Sequence, residues 1–243
     1  MASTERSQLS VRGLTVEVVR KEVKNLHLGV YPPSGRVRVA APASVTDDAI
    51  RLAVISKLSW IRRQRDRFLT QPRQSQREMV NGESHYFLGQ RYRMTVVEEE
   101  ARPRVTTAGK SRLELHAPSG SSQEQRGAVL DRWYRRQLRQ VVGRYLTVWE
   151  DRLGVKTSAV GIKRMKTKWG SCNPTTHRIW LNSELAKKPL SSIEYIVVHE
   201  LVHLLEPSHG ERFTAVMDQH LPDWRIRQAE LNSAPLAHEE WTY

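Results

Sequence analysis

The segment at residues 191–213, SSIEYIVVHELVHLLEPSHGERF, contains side chains that can bind a metal ion and activate water. His199 and His203 are four residues apart, so on an α-helix both imidazoles lie on one face, roughly 6 Å apart along the axis. Glu200 follows the first histidine, where its carboxylate can reach a water molecule beside the metal without binding the metal itself. These residues form an HExxH pattern, which predicts a zinc ion on His199 and His203 and a general base at Glu200.

The sequence also marks the helix that must carry these residues. Ser191 and Glu194 fit a capping box, and Leu190 with Tyr195 fits the hydrophobic staple beside it, which predicts a helix that begins at Ser191. Pro207 should end this helix, because the residue before a proline is disfavoured in the α region. Apolar residues on the remaining faces predict that the helix is buried: Ile193, Ile196, Val197, Leu201 and Leu204.

A catalytic zinc takes three protein ligands and keeps one position open, and two residues compete for the third place. Glu206 lies seven residues after His199 and would share the ligand face of an uninterrupted helix. His209 follows the break expected at Pro207, and its spacing matches the H-E-x-x-H-x-x-G-x-x-H zincins, although Glu206 replaces their glycine. We therefore predict His209 as the third ligand and keep Glu206 as the alternative. Three further candidates are expected to be weaker or to lie on the surface: Glu211, His220 and His238.

Length and composition are those of a soluble globular protein. The chain has 243 residues, of which 39% are hydrophobic and 27% charged. The N-terminus lacks the apolar region of a secretory signal, and the longest apolar stretch, near residues 195–205, is too short to span a bilayer. Cys172 is the only cysteine, so no disulfide can form within the chain. We therefore expect a cytoplasmic protein without a membrane segment.

Basic residues outnumber acidic ones, 39 to 26, which gives a formal net charge of +13. Such an excess attracts polyanions and acidic partners. A dense basic run, Lys163, Arg164, Lys166 and Lys168, falls on a predicted strand, and its last three members would point to one face. Two interpretations are open: a solvated edge strand protected by charge, or a surface that contacts phosphate or an acidic substrate. Contact with nucleic acid is a further open interpretation: the charge favours it, but none of the usual nucleic-acid-binding motifs is present.

The elements before residue 121 are predicted to be mainly β. Apolar residues alternate at 14–18, 26–30 and 37–39, which predicts three strands with a turn at 32–35. From Thr46 the spacing becomes helical through Ile50, Val54, Leu58 and Ile61, which predicts one helix capped at its start by Thr46 or Asp47. A polar connection should follow at 71–83. Further strands are predicted at 86–88, 92–97 and 113–116, and a turn at 118–121 should close this portion.

The elements after residue 121 are predicted to be mainly helical. A continuous apolar stripe from Leu130 to Trp149 predicts one long helix, whose arginines form a solvated face. Strands are expected near 159–165 and 177–181, and segments 169–173 and 179–182 flank a hairpin before the HExxH helix. We predict an α+β fold with a β-rich portion at 11–118 containing one helix, a zincin-like portion at 121–233, and a tail at 234–243.

Several motifs together resemble the YgjP-like family of metal-dependent hydrolases, which is grouped with SprT-like zinc metallopeptidases. The likeness covers roughly residues 11–233, and segment 209–213 is similar to the HGxxF element of SprT-like enzymes. It implies zinc on His199, His203 and His209, catalysis by Glu200, and a WGSC segment on a strand beside the active-site cleft. The motifs that carry it are MKTKWGSCN from Met165, IWLN at 179–182, HELVH at 199–203, SHGERF at 208–213 and LPDW at 221–224.

Three functions are therefore expected, in descending order. The first is a zinc-dependent metallopeptidase that acts on a protein or peptide substrate. The second is a nucleoside triphosphate pyrophosphatase, because some YgjP-like proteins are credited with cleaving UTP; this chain has no P-loop and no carboxylate cluster for magnesium. The third is a nucleic-acid-associated SprT-like protease or binding module, whose affinity for DNA would fall steeply with salt. The oligomeric state is not predicted.

Overall fold

Three β-sheets and six α-helices make up the residues that the computed structural model describes, which are 5–31, 34–70, 77–165 and 168–233. The predicted α+β class is confirmed at this level. The chain divides between positions 75 and 76 into two units. Several sequence-based predictions lie outside the described residues: Pro32 and Pro33 of the first turn, residues 71–76 of the connection, Lys166 of the basic run, and the tail at 234–243.

The first unit contains a four-stranded sheet. Its strands are β1 (Glu5–Val11), β2 (Leu14–Arg20), β3 (His27–Tyr31) and β4 (Arg36–Ala41), in the order β1-β2-β4-β3 with β2 and β4 parallel. The three predicted strands are present. Strand β1 was not predicted, because only Leu9 and Val11 of its seven residues are buried and the alternation is weak.

Two helices follow this sheet where one was predicted. Helix α1 (Asp47–Ser56) begins after Thr46, whose side chain accepts a hydrogen bond from the Ala49 N–H, so the predicted cap is confirmed. Helix α2 (Leu58–Thr70) is separated from α1 by the single residue Lys57. The prediction of a single helix is wrong because the Lys57 N–H bonds to Val54, three residues back, which tightens the turn and interrupts the α-helical pattern.

The second unit begins with a sheet of the same topology. Strands β5 (Ser84–Phe87), β6 (Gln90–Glu98), β7 (Arg104–Ala108) and β8 (Arg112–Ala117) are ordered β5-β6-β8-β7, with β6 and β8 parallel. Helix α3 (Gln123–Leu153) packs on this sheet, and Leu113 and Leu115 share one core with Leu130 and Leu138. The division of the chain therefore differs from the one predicted at 118–121: β8 buries its apolar side chains with α3, and both lie in one unit.

The rest of the second unit builds the region of the predicted metal site. Strands β9 (Ala159–Lys163), β10 (Gly170–Asn173) and β11 (Arg178–Asn182) form a sheet in the order β10-β11-β9, which includes the predicted hairpin. A 3-10 helix (Ser183–Lys187), α4 (Leu190–Val202), α5 (Glu211–His220) and α6 (Trp224–Ser233) follow. Within the described parts of the chain, no helix combines the length and apolarity that a bilayer span requires.

Helix α4 begins differently from the prediction. Its first residue is Leu190, after Pro189, and no side chain caps it, so the predicted capping box is wrong. Glu194 instead accepts hydrogen bonds from Trp149 on α3, at 3.0 Å, and from Arg227 on α6, at 2.6 Å. These tertiary partners hold α4 between its neighbours and replace the local cap. The helix also ends at Val202, before Glu206. The N–H groups of Leu204 and Leu205 bond to the carbonyls three residues back, those of Leu201 and Val202, and this tighter turn ends the α-helical pattern.

Candidate metal centre

Helix α4 and its C-terminal cap supply two of the three predicted metal ligands. Val197, Val198 and Leu201 are nearly inaccessible, and they anchor the helix in the core of the second unit. The opposite side of the last turn presents His199, while His203 follows immediately as the C-terminal cap in an αR conformation. Their four-residue spacing therefore brings the two imidazole rings to a centroid distance of 4.9 Å.

The turn after α4 and the start of α5 bring the third histidine back to the same place. His209 lies just before α5, and its ring centroid is 4.9 Å from that of His199 and 4.6 Å from that of His203. Phe213, on the first turn of α5, contacts all three imidazoles at centroid distances of 4.8 to 5.0 Å. Since Phe213 is buried, it gives the three rings a common packing surface.

The nitrogen atoms of the three rings converge. One candidate ligand atom from each of His199, His203 and His209 lies within 4.8 Å of the others, and the two Nε2 atoms of His199 and His209 are 3.0 Å apart. The Nδ1 of His203 donates a hydrogen bond to the Glu206 carbonyl at 3.1 Å, because a carbonyl oxygen can only accept. This bond assigns the proton of neutral His203 to Nδ1 and leaves the Nε2 lone pair for a ligand.

This nitrogen cluster fits a divalent cation. Tetrahedral coordination with metal–nitrogen bonds near 2.0–2.1 Å separates the ligand atoms by about 3.3 Å, within reach of the observed spacing. Burial lowers the pKa of His199 to about 3, with His203 and His209 adding to the effect, and burial also lowers the pKa of His203. The imidazoles of His199 and His203 are therefore neutral near pH 7 and can donate lone pairs, and an all-imidazole set suits zinc better than calcium or magnesium.

The competing candidates lie apart from this cluster. The Glu206 carboxylate pairs with Arg212 at 3.6 Å, and only its backbone carbonyl reaches a ligand histidine. Glu211 and His220 lie at the two ends of α5 and are not among the clustered groups of the described chain. His238 lies in the tail, outside the described residues. The turn at 204–208 thus places His209, rather than Glu206, beside the two helical histidines.

Glu200, the predicted general base, is buried against the neighbouring strand. Only 4% of its surface is exposed, and burial raises the pKa of its carboxyl to about 8, with the positive charge of Lys168 acting in the opposite direction. Its side chain packs directly on β10 at Gly170: a β-carbon at that position would lie 2.7 Å from Cδ of Glu200 and closer still to Oε1. Glycine is therefore required where β10 passes the carboxyl group.

A cavity of about 540 Å³ joins the histidines and Glu200 to solvent. Strand β10 forms one wall, and residues of α6 form another. Tyr195, one turn before His199, accepts a hydrogen bond from Gln228 of α6 at 3.0 Å. Cys172 also lines the cavity, and burial, with the charge of Glu200, raises the pKa of its thiol to about 11. The described lining includes Lys168, Trp169, Gly170, Ser171, Pro174, Ile196, Pro207, Leu231 and Asn232.

Sequence reasoning missed the part played by Asn182. Its Nδ2 donates to the carbonyls of Met165 and Lys168, at 2.8 and 2.9 Å, and its Oδ1 accepts from the N–H groups of Met165 and Glu184, at 3.3 and 3.2 Å. This buried amide therefore secures both sides of the segment that leads into β10. A sequence signal exists, because an asparagine at the end of a strand commonly caps the following helical turn.

Residues 24–234 match the family described as "YgjP-like, metallopeptidase domain". No curated protein matches. Among solved structures, the metallopeptidase zymogen jannalysin of Methanocaldococcus jannaschii shares 20% identity with the aligned part, which covers 39% of this chain and 86% of that one, at a TM-score of 0.32. The family match extends across the four strands of β5–β8, the long helix and the histidine cluster.

Proposed function

The chain belongs to the YgjP-like metallopeptidase family, and from that premise we propose that it hydrolyses peptide bonds at a zinc centre with Glu200 as general base. In this proposal His199, His203 and His209 hold the zinc, within a zincin-like arrangement of the small sheet and α4. The observation that carries it is the convergence of three imidazoles beside one buried carboxyl group, all facing a single cavity.

Each residue has a distinct task in the proposed reaction. A cation held by the three imidazoles would supply Lewis acidity, which lowers the pKa of water at the site and stabilises charge on a carbonyl oxygen. Glu200 accepts a proton from the attacking water and passes it to the leaving amine. Its buried position favours proton uptake, because desolvation disfavours the charged carboxylate. The hydrogen bond from His203 to Glu206 holds that ring in the tautomer and orientation that a ligand requires.

The shape of the site supports a peptide as substrate. The cavity lies between β10 and α6, and its described lining combines apolar side chains with the backbone of β10 and a few polar groups. In this proposal an extended chain lies in the cleft, with the scissile carbonyl near the histidines. The described lining contains one lysine, Lys168, and the sequence has no P-loop motif. The site therefore lacks the phosphate-binding elements that a nucleoside triphosphatase commonly uses.

The test compares wild type with Glu200→Gln, which keeps the size of the side chain but removes the base. Purified wild type should contain about one equivalent of zinc and should cleave unfolded casein or a mixture of fluorogenic peptides. Glu200→Gln should retain the zinc and lose at least about a hundredfold in kcat, the usual contribution of a positioned general base. Glu211→Gln makes the same chemical change at an exposed position of α5 and should behave as wild type.

Three outcomes would contradict parts of the proposal separately. Full activity of Glu200→Gln would overturn the role of the base. Purified protein that neither contains nor takes up zinc would overturn the metal. Release of pyrophosphate from UTP that depends on Glu200, without cleavage of any peptide, would replace the peptide substrate with a nucleotide.

A further inference from the structure

The outer face of the three-stranded sheet is distinct from the cleft. Residues of β11 alternate between the two faces, and Ile179 and Leu181 are buried in the core beneath α4. The register pairs Trp180 with Ser171 on β10 and with Gly161 on β9, so these three residues share the opposite face. One sheet therefore presents Gly170 and Cys172 to the metal site and Trp180 to its other side.

Trp180 lies flat on this outer face. A β-carbon at Gly161 would lie 2.9 Å from Cη2 of Trp180 and closer still to Cζ3, so the indole rests directly on the backbone of β9. Two exposed cations flank the ring: Nζ of Lys163 is 4.3 Å, and Cζ of Arg178 is 5.4 Å, from the ring centroid. The result is a half-exposed aromatic plate with one positive charge from the end of β9 and one from the start of β11 itself.

The charge around this plate has one sign. Residues 152–183 include seven lysines and arginines and no aspartate or glutamate. Lys156 and Arg164 pair with Glu150 and Glu184, which lie just outside that stretch. Among the residues that the structure describes, no ion pair is recorded for Lys163 or Arg178. These two cations are available to an anionic ligand and lie within a protein of net charge +13.

We propose that this face, formed by Lys163, Arg178 and Trp180, binds single-stranded nucleic acid. An unpaired base stacks on the exposed face of the indole, and the two cations contact the phosphates on either side. Non-specific single-strand sites combine these same parts, a positive surface and an aromatic platform. A lysine over an exposed indole is held weakly, so Lys163 can leave the ring for a phosphate when a base takes its place.

A duplex or an acidic protein fits this face less well. The bases of a duplex are stacked on each other and cannot cover the Trp180 ring. An acidic peptide would pair with the two cations, but its carboxylates have no ring to stack on the indole. The site is also independent of the proposed hydrolysis, because Trp180 lies on the side of the sheet opposite Gly170 and Glu200, so either proposal can fail alone.

Fluorescence anisotropy with a 5′-labelled (dT)20 oligonucleotide tests this proposal on the whole chain. Trp180→Ala should weaken binding by about tenfold or more, whereas Trp180→Phe, which keeps an aromatic plane, should stay within about threefold of wild type. Lys163→Glu with Arg178→Glu should abolish binding at 150 mM salt. The slope of log K against log salt should be shallower by about 1.4 when both cations are neutralised, for example as Lys163→Gln with Arg178→Gln.

Arg136→Glu with Arg139→Glu is the matched control, because it makes the same charge change on the exposed side of α3. It should retain most of the affinity. An equal loss of affinity in this control would overturn the site in favour of diffuse attraction. The same holds if Trp180→Ala, with Lys163 and Arg178 intact, binds like wild type. Duplex DNA or poly-glutamate binding as tightly as (dT)20 would overturn the choice of partner. Melting temperature and zinc content identify variants that fail to fold. If Trp180→Ala or the double glutamate variant fails, Trp180→Phe and the variant Lys163→Gln with Arg178→Gln decide the result.

Discussion

The carboxyl group of Glu200 packs against the backbone of Gly170, a contact between α4 and β10 that leaves no room for a side chain at position 170. The contact explains why β10 begins with a glycine, whereas its other residues have side chains. It also limits the orientations open to Glu200, because one side of its carboxyl is occupied by β10 while the other faces the cavity. In the proposed reaction, the strand thus positions the base.

Replacing Gly170 with Ala should displace the base without removing the metal ligands. The added β-carbon would overlap Cγ and Cδ of Glu200, so the carboxyl must shift by a substantial fraction of an ångström or more. A misplacement of this size can cost about a hundredfold in rate. We expect kcat for peptide cleavage to fall by about tenfold to a hundredfold, with zinc content unchanged.

Gly143→Ala is the control for this experiment. Gly143 lies on α3, and a β-carbon there would meet no atom within 4 Å. Alanine is favoured over glycine within a helix by roughly 1 kcal/mol, so this variant should be slightly more stable and fully active. Unchanged kcat in Gly170→Ala would show that the contact does not position Glu200.

The identity of the third ligand can be tested by comparing His209 with Glu206. The side chain of His209 lies in the nitrogen cluster, whereas that of Glu206 pairs with Arg212. His209→Ala should therefore weaken zinc binding by more than about a hundredfold. Altering the hydrogen-bond partner of a ligand costs up to about a hundredfold in metal affinity, and losing the ligand itself should cost more. Glu206→Gln should bind zinc within about threefold of wild type in a competition with a chromophoric chelator. The reverse ranking would make Glu206 the ligand.

The arrangement of the three histidines was accessible to sequence reasoning because it depends on local geometry. His199 and His203 share a helix face through their spacing alone, and Pro207 indicated that the chain turns before His209. The contact between Glu200 and Gly170 was not accessible, because the two residues are thirty positions apart and meet only when β10 packs on α4. Asn182 was missed for the same reason: its partners lie on a segment about fifteen residues earlier.

Errors about the fold arose where tertiary contacts replaced local signals. Ser191 and Glu194 have the spacing of a capping box, but Glu194 bonds to Trp149 and Arg227 instead. The boundary predicted at 118–121 followed a true turn, yet the strands before that turn share a core with α3. The alternation of β2 and β4 was clear because each buries one face, and the prediction of those strands is confirmed.

Asn182→Ala should destabilise the protein and slow the proposed reaction. The substitution removes four hydrogen bonds from a buried amide, each worth about 1 kcal/mol, and leaves the carbonyls of Met165 and Lys168 without that partner. We expect the free energy of unfolding to fall by roughly 2–4 kcal/mol in urea titrations. Asn173→Ala, whose side chain bonds only in an exposed turn at the end of β10, should cost less than about 1 kcal/mol. Equal losses in the two variants would contradict the structural role of Asn182.

The reactivity of Cys172 offers a test of the cleft that depends on pH. Burial, assisted by the charge of Glu200, raises the pKa of this thiol from 9.0 to about 11, so near pH 8 its thiolate fraction is about a hundredfold below that of an ordinary cysteine. Because Cys172 is the only cysteine, alkylation by iodoacetamide reports on this position alone. The rate in the folded protein should be at least about a hundredfold slower than in guanidinium and should keep rising tenfold per pH unit beyond pH 9. Glu200→Gln should speed the reaction, since it removes a negative charge that opposes the thiolate. A rate that levels off below pH 9 in the folded protein would show that the thiol is neither desolvated nor close to that charge.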